Sequence, residues 1–132
     1  MLNRSLKNYY IKFWVILSSI LLLTTFASAG TVKHEKQIPV PGMVTMVDLG
    51  AGTCIPCKMM APILDELEKE YKDRAAIVFI DVWENPDAGK NYGVKMIPTQ
   101  IFYDTHGKEV SRHVGFLDKA SIVDELEKNG VE

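Results

Sequence analysis

Apolar positions along this chain change period several times, and each change marks an element. Residues 43–49, Met-Val-Thr-Met-Val-Asp-Leu, form a nearly continuous apolar run. That is the pattern of a strand covered on both faces, with Asp48 as its anomaly. After the turn Gly50-Ala51-Gly52-Thr53 the period becomes helical. Met60, Ile63, Leu64, Leu67 and Tyr71 recur three or four positions apart, while Asp65, Glu66, Glu68, Lys69 and Glu70 take the solvated face. Pro62 falls inside this helix and predicts a kink.

Residues 75–82 read as a second buried strand. Asn85-Pro86 then reads as a cap and first helical residue of a short helix ending at Tyr92. Residues 99–103 and 109–114 flank Asp104-Thr105-His106-Gly107-Lys108, which predicts an antiparallel hairpin with glycine in the turn. Ile122, Val123 and Leu126 mark a last amphipathic helix, with Asp118 at its start and Gly130 at its end. The order β-α-β-α-β-β-α predicts an α/β fold, a central mixed β-sheet flanked by helices.

The beginning of the chain is of another kind. Arg4, Lys7 and Lys12 precede an apolar run from Phe13 to Leu23, and Ala27-Ser28-Ala29 follows, the order basic, apolar, small that defines a secretory signal. No charge interrupts residues 13–32, and about 20 such residues also suffice for an uncleaved membrane anchor. Both readings put the rest of the chain outside the cytoplasm. The expected organisation is residues 1–29 as signal or anchor, 30–42 as linker or short lead-in strand, and 43–132 as the folded domain.

Charge narrows the function. The formal net charge is −2, and the leader contributes basic residues and no acidic ones, so the remainder is more acidic still. Without a Lys/Arg cluster, nucleic-acid binding is excluded on electrostatic grounds. The two cysteines are Cys54 and Cys57, too close in sequence for a long-loop structural disulfide. In an exported protein such a pair oxidises unless something reduces it.

Thiolate is the attacking form, and Cys54 stands where the strand-turn-helix pattern puts a helix N-terminus, whose amides and dipole favour negative charge. Cys57, one turn on, is placed to resolve a mixed disulfide formed by Cys54. Pro56 suits the first helical turn and stiffens the ring. C-x-x-C also occurs in zinc sites, but zinc takes four ligands, and His34, His106 and His113 fall in the lead-in, the hairpin turn and a strand. The methionines and these histidines read as packing and surface residues.

The chain resembles the thioredoxin family over residues 43–130. The resemblance is carried by Val47-Asp48, the spacing to Cys54-Ile55-Pro56-Cys57-Lys58, Pro62 in the following helix, Ile97-Pro98-Thr99 and Gly115. It implies a thioredoxin-like fold and a redox-active Cys54–Cys57 disulfide, with no further cofactor or metal. By position, Asp48 is the family's buried aspartate, which assists proton transfer at the second cysteine. Pro98 is its cis-proline. The backbone of Ile97 would pair with an extended client segment, and Thr53, Ile55, Pro56 and Gly115 would border that client. Three positions depart from the pattern: Thr53 and Gly50 stand in place of tryptophans, and Phe79 in place of a lysine near the aspartate. On this basis Asp48, walled by Met46, Val47, Leu49 and Phe79, is expected to titrate well above a free aspartate.

The function expected is an extracytoplasmic thiol-disulfide oxidoreductase, a monomer that reduces protein disulfides. Ile55 supplies none of the charge that a histidine between the cysteines would lend to an oxidant. Its electron donor would be a membrane thiol-disulfide transporter, and apocytochrome c is a candidate client. The alternatives are an oxidase or isomerase for secreted proteins and, from another class, a Cu(I) carrier using Cys54, Cys57 and Met59.

Overall fold

A computed structural model describes residues 37–132. The leader, and the lead-in up to residue 36, lie outside the described residues. In chain order the elements are β1 (Val44–Gly50), α1 (Ile55–Glu70), β2 (Ala75–Asp81), α2 (Ala88–Asn91), β3 (Thr99–Tyr103), β4 (Glu109–Val114) and α3 (Lys119–Lys128). Among the described residues no helix is long and apolar enough to cross a membrane.

The strands form one mixed sheet in the order β2-β1-β3-β4. β1 runs parallel to β2 through the α1 crossover and antiparallel to β3, and β3 and β4 make the expected hairpin. In the hairpin turn Asp104 accepts the N–H groups of His106 and Lys108, each at 2.9 Å, and Gly107 takes the positive φ of 78° that the turn requires.

Strand alternation divides the core into two layers. On one face Val44, Met46 and Phe102 pack with Met60, Leu64 and Leu67 of α1 and Ile122 and Leu126 of α3. On the other, Val47, Leu49, Ile101 and Tyr103 pack with Ala88 of α2. Every residue of β1 is buried, as its apolar run implies. α1 continues unbroken through Pro62, which is exposed. Lys119 reaches Glu66 and Glu70 of α1 at 2.8 and 2.7 Å, clipping α3 to it.

Two expectations are corrected. Asn85 does not cap a helix: its side-chain amide donates to the carbonyl of Asp81 at 3.0 Å, closing the turn that leaves β2. The helix starts later, after Asp87, and spans four residues. Likewise Val47 and Leu49 do not wall Asp48. They belong to the α2 layer, because adjacent residues of a strand point to opposite faces.

Candidate functional site

Strand register brings four connections to one end of the sheet. Gly50 ends β1 beside Asp81, the last residue of β2. Leu49 lies beside Thr99, the first residue of β3, and Thr99 beside Val114, the last of β4. The cysteine turn, the loop bearing Pro98, the loop after Asp81 and Gly115 therefore share this edge.

Cys54 is the N-cap of α1, in extended backbone conformation, and its Sγ accepts the N–H of Cys57 at 3.3 Å. A cap with a sulfur acceptor is weak when neutral and strong as thiolate, so the helix start favours the charged form of this one cysteine. Cys54 and Cys57 are joined in a disulfide with Cα atoms 5.2 Å apart. Cys54 is half-buried, whereas Cys57 faces inward and is buried. Thr53 and Ile55 are exposed, Ile55 by 74%, and Pro56 sits half-buried in the first turn.

Asp48 lies on the α1 face of the sheet and is fully buried. Its Oδ1 accepts a hydrogen bond from Nε2 of Gln100 at 2.7 Å, and the same nitrogen meets Sδ of Met60 at 3.1 Å. Burial pushes the Asp48 carboxyl up from 3.8 to about 6, against the opposing pull of the Gln100 bond. The sequence reading missed Gln100. The signal was an amide inside the otherwise apolar run of β3, two residues after Pro98.

The Ile97–Pro98 peptide bond is cis. Pro98 is buried and Ile97 half-buried. The loop is held from both sides: Thr99 Oγ1 donates to the carbonyl of Met96 at 2.7 Å, and Gly115 donates its N–H to the carbonyl of Pro98 at 2.8 Å. Gly115 has a φ of 103°, a conformation that explains glycine there. Its role in the structure is thus to brace the proline loop.

Two further residues shape the edge. Asp81 was not singled out from sequence, yet its carboxylate accepts the N–H groups of Gly52 at 3.0 Å, Trp83 at 2.8 Å and Glu84 at 3.3 Å. These bonds, Trp83 first, hold its pKa below the usual carboxylate range. Phe79 is in register with Asp48 and 48% exposed. Its ring lies over Gly50 and lines a cleft of about 340 Å³ with Ala51, Gly52, Cys57 and Ala61. Among the described residues no cluster of three or more His, Cys, Asp or Glu side chains is placed to hold a metal.

Comparison with known proteins agrees with this geometry. The thioredoxin family model matches residues 27–128. A thioredoxin of Staphylococcus aureus is 42% identical over 86 residues, 65% of this chain and 82% of that relative. Among solved structures, Fasciola hepatica thioredoxin superposes with a TM-score of 0.60 at 30% identity, over 67% of this chain and 83% of its own. Chloroplastic thioredoxin z gives 0.62 at 28% identity, over 69% and 81%.

Proposed function

This chain belongs to the thioredoxin family, and from that premise we propose that it works outside the cytoplasm as a reductant of disulfides in client proteins. The observation that carries the reading is the asymmetry of the pair. Cys54 stands at the helix start with its sulfur capping a backbone N–H, and Cys57 is buried one turn on. One sulfur is reachable from outside and stabilised as thiolate, and the other acts within.

In the reduced protein the Cys54 thiolate attacks a client disulfide, forming a mixed disulfide and expelling one client thiolate, which takes a proton from solvent. Cys57 then loses its proton to Asp48, and its thiolate attacks Cys54 Sγ. The bond between Cys54 and the client breaks, the Cys54–Cys57 disulfide forms, and the second client sulfur leaves as thiolate, which takes a proton from solvent. The client is reduced by two electrons and the pair is oxidised by two. A carboxyl titrating near neutrality suits the proton transfer, since it accepts and returns a proton at working pH.

The extracytoplasmic location rests on the basic, apolar and small-residue order of the leader. With no NADPH supply there, a membrane thiol-disulfide transporter is the electron donor, and the uncharged Ile55 favours a reducing pair. The deciding experiment is the reduction potential of the pair by equilibration with glutathione. A value close to that of about −270 mV for thioredoxin supports the reductant, and one near about −120 mV makes the protein an oxidant.

A further inference from the structure

Asp48 and Gln100 leave the fold with an imbalance of polar atoms. They face each other in register on β1 and β3, and both are fully buried. One leg of their contact is the bond from Gln100 Nε2 to Asp48 Oδ1 at 2.7 Å. The second N–H of the amide meets Met60 Sδ, which keeps the nitrogen turned toward this side. The other ends of both groups, Asp48 Oδ2 and Gln100 Oε1, have no partner among the described residues. With Asp48 ionised, both atoms are acceptors without a donor, a costly arrangement in a buried place. One proton on Oδ2 turns one of the two acceptors into a donor, and a carboxylic acid and a primary amide are able to pair reciprocally, O–H to amide oxygen and N–H to acid oxygen.

We propose that Gln100 is a positioning residue of the redox site: it grips Asp48 through Oδ1, leaves Oδ2 as the atom that exchanges a proton with Cys57, and accepts that proton's hydrogen bond on Oε1 whenever Asp48 is neutral. The inference rests on the reading of Asp48 as proton acceptor. In the step concerned the S–H bond of Cys57 breaks and an O–H bond forms on Oδ2, with no electron transferred. The groups around the pair are few. β2 offers Phe79, in register with Asp48; β4 offers His113, in register with Gln100. α1 brings Met60 against the amide and carries Cys57 one turn earlier; Lys58 and Asp65 line the cleft beside Cys57. α3 turns Ile122 and Leu126 inward on this face. Besides Asp48 the titratable side chains among these groups are Lys58, Asp65 and His113, and of these only His113 is in register with Gln100.

The test follows the side-chain ¹H–¹⁵N signals of Gln100 in the intact oxidised protein through a pH titration, alongside the ¹³C signal of the Asp48 carboxyl. The Gln100 signals should move with the Asp48 midpoint, keep that behaviour in His113→Gln and lose it in Asp48→Asn. Gln100→Met preserves bulk but removes both hydrogen bonds; it should move the Asp48 midpoint away from its parent value, and the pH profile of disulfide reduction should move with it. Gln100 signals that stay flat through the Asp48 titration, or that follow His113, overturn the proposal without any appeal to activity. If they follow Asp48 but Asp48→Asn reduces disulfides at the parent rate, the proposal falls for a different reason, namely that Asp48 is not the proton acceptor.

Discussion

The ring of Phe79 lies so close over Gly50 that a methyl group built there would stand 2.9 Å from Phe79 Cε2 and 3.2 Å from Cys57 Sγ. Phe79 and Gly50 are two of the positions where the chain departs from the family's pattern, and in space they are one arrangement: the aromatic ring arrives from β2 rather than from β1. The half-exposed ring can swing outward, but the buried, cross-linked Cys57 cannot. Gly50→Ala should therefore cost about 1–2 kcal/mol through overpacking. Phe79→Ala in the same chain should recover part of that loss. Denaturant unfolding of the four members of the double-mutant cycle measures the coupling, which is near zero if the two side chains do not compete for the same space.

Cys54 is the sulfur at the helix start and Cys57 the buried one, so their variants should behave oppositely. Cys57→Ser should accumulate mixed disulfides with client proteins, visible as thiol-sensitive bands on non-reducing gels, and Cys54→Ser should not. Trapping through Cys57 would reverse the assignment of attacking and resolving thiols.

Much of the fold is legible in the sequence because local rules and tertiary packing agree. The change of period at Cys54, the hairpin around Gly107 and the Asp118 cap, whose carboxylate accepts the N–H of Ser121 at 3.0 Å, are all local signals. What stays hidden depends on distant partners. Gln100 reads as a polar interruption of a strand until register sets it against Asp48, 52 residues earlier. Asp81 reads as a strand end until its carboxylate meets Gly52, 29 residues away. Asn85 carries a helix-cap signature that a competing bond to Asp81 overrides. The neighbours of Asp48 are hidden for a simpler reason, that proximity in sequence is not proximity across a sheet.

Asp81 ties the cysteine turn to the loop bearing Trp83, and its loss should loosen both. Asp81→Ala should lower the melting temperature and speed amide exchange at Gly52, Trp83 and Glu84, whose N–H groups lose their acceptor. Because the folded pKa lies below the unfolded value, the stabilisation is present at neutral pH and is lost as pH falls through the folded pKa. The melting temperatures of parent and variant should thus converge in acid.

The leader makes a prediction that needs no structure. If residues 1–29 are cleaved as a signal, the mature protein begins at Gly30 and leaves the envelope without detergent; intact-mass measurement of native material reads this directly. A full-length, detergent-requiring species would establish residues 13–32 as an anchor, with the following segment as a tether.

Asp48→Asn separates stability from chemistry. The folded carboxyl titrates at about 6 against an ordinary 3.8, so between those values the folded protein holds more protons than the unfolded chain. Stability contributed by this group therefore falls as pH rises through that window, and the penalty is complete above it. Asparagine carries no charge to bury, keeps an acceptor for Gln100 Nε2 and adds a donor suited to the unpartnered Gln100 Oε1. The variant should match the parent in acid and exceed it by about 2–3 kcal/mol above neutrality, since a tenfold change in proton affinity corresponds to about 1.4 kcal/mol. Asparagine cannot take the proton from Cys57, so release of the mixed disulfide should slow. The deficit in reduction of a model disulfide should be about tenfold or more near neutral pH and should shrink in alkali, where Cys57 ionises unaided. Urea unfolding at several pH values reads the first effect and a pH profile of the reduction rate reads the second. A variant that gains stability but keeps the parent rate throughout would leave Asp48 as a buried cost without a role in proton transfer.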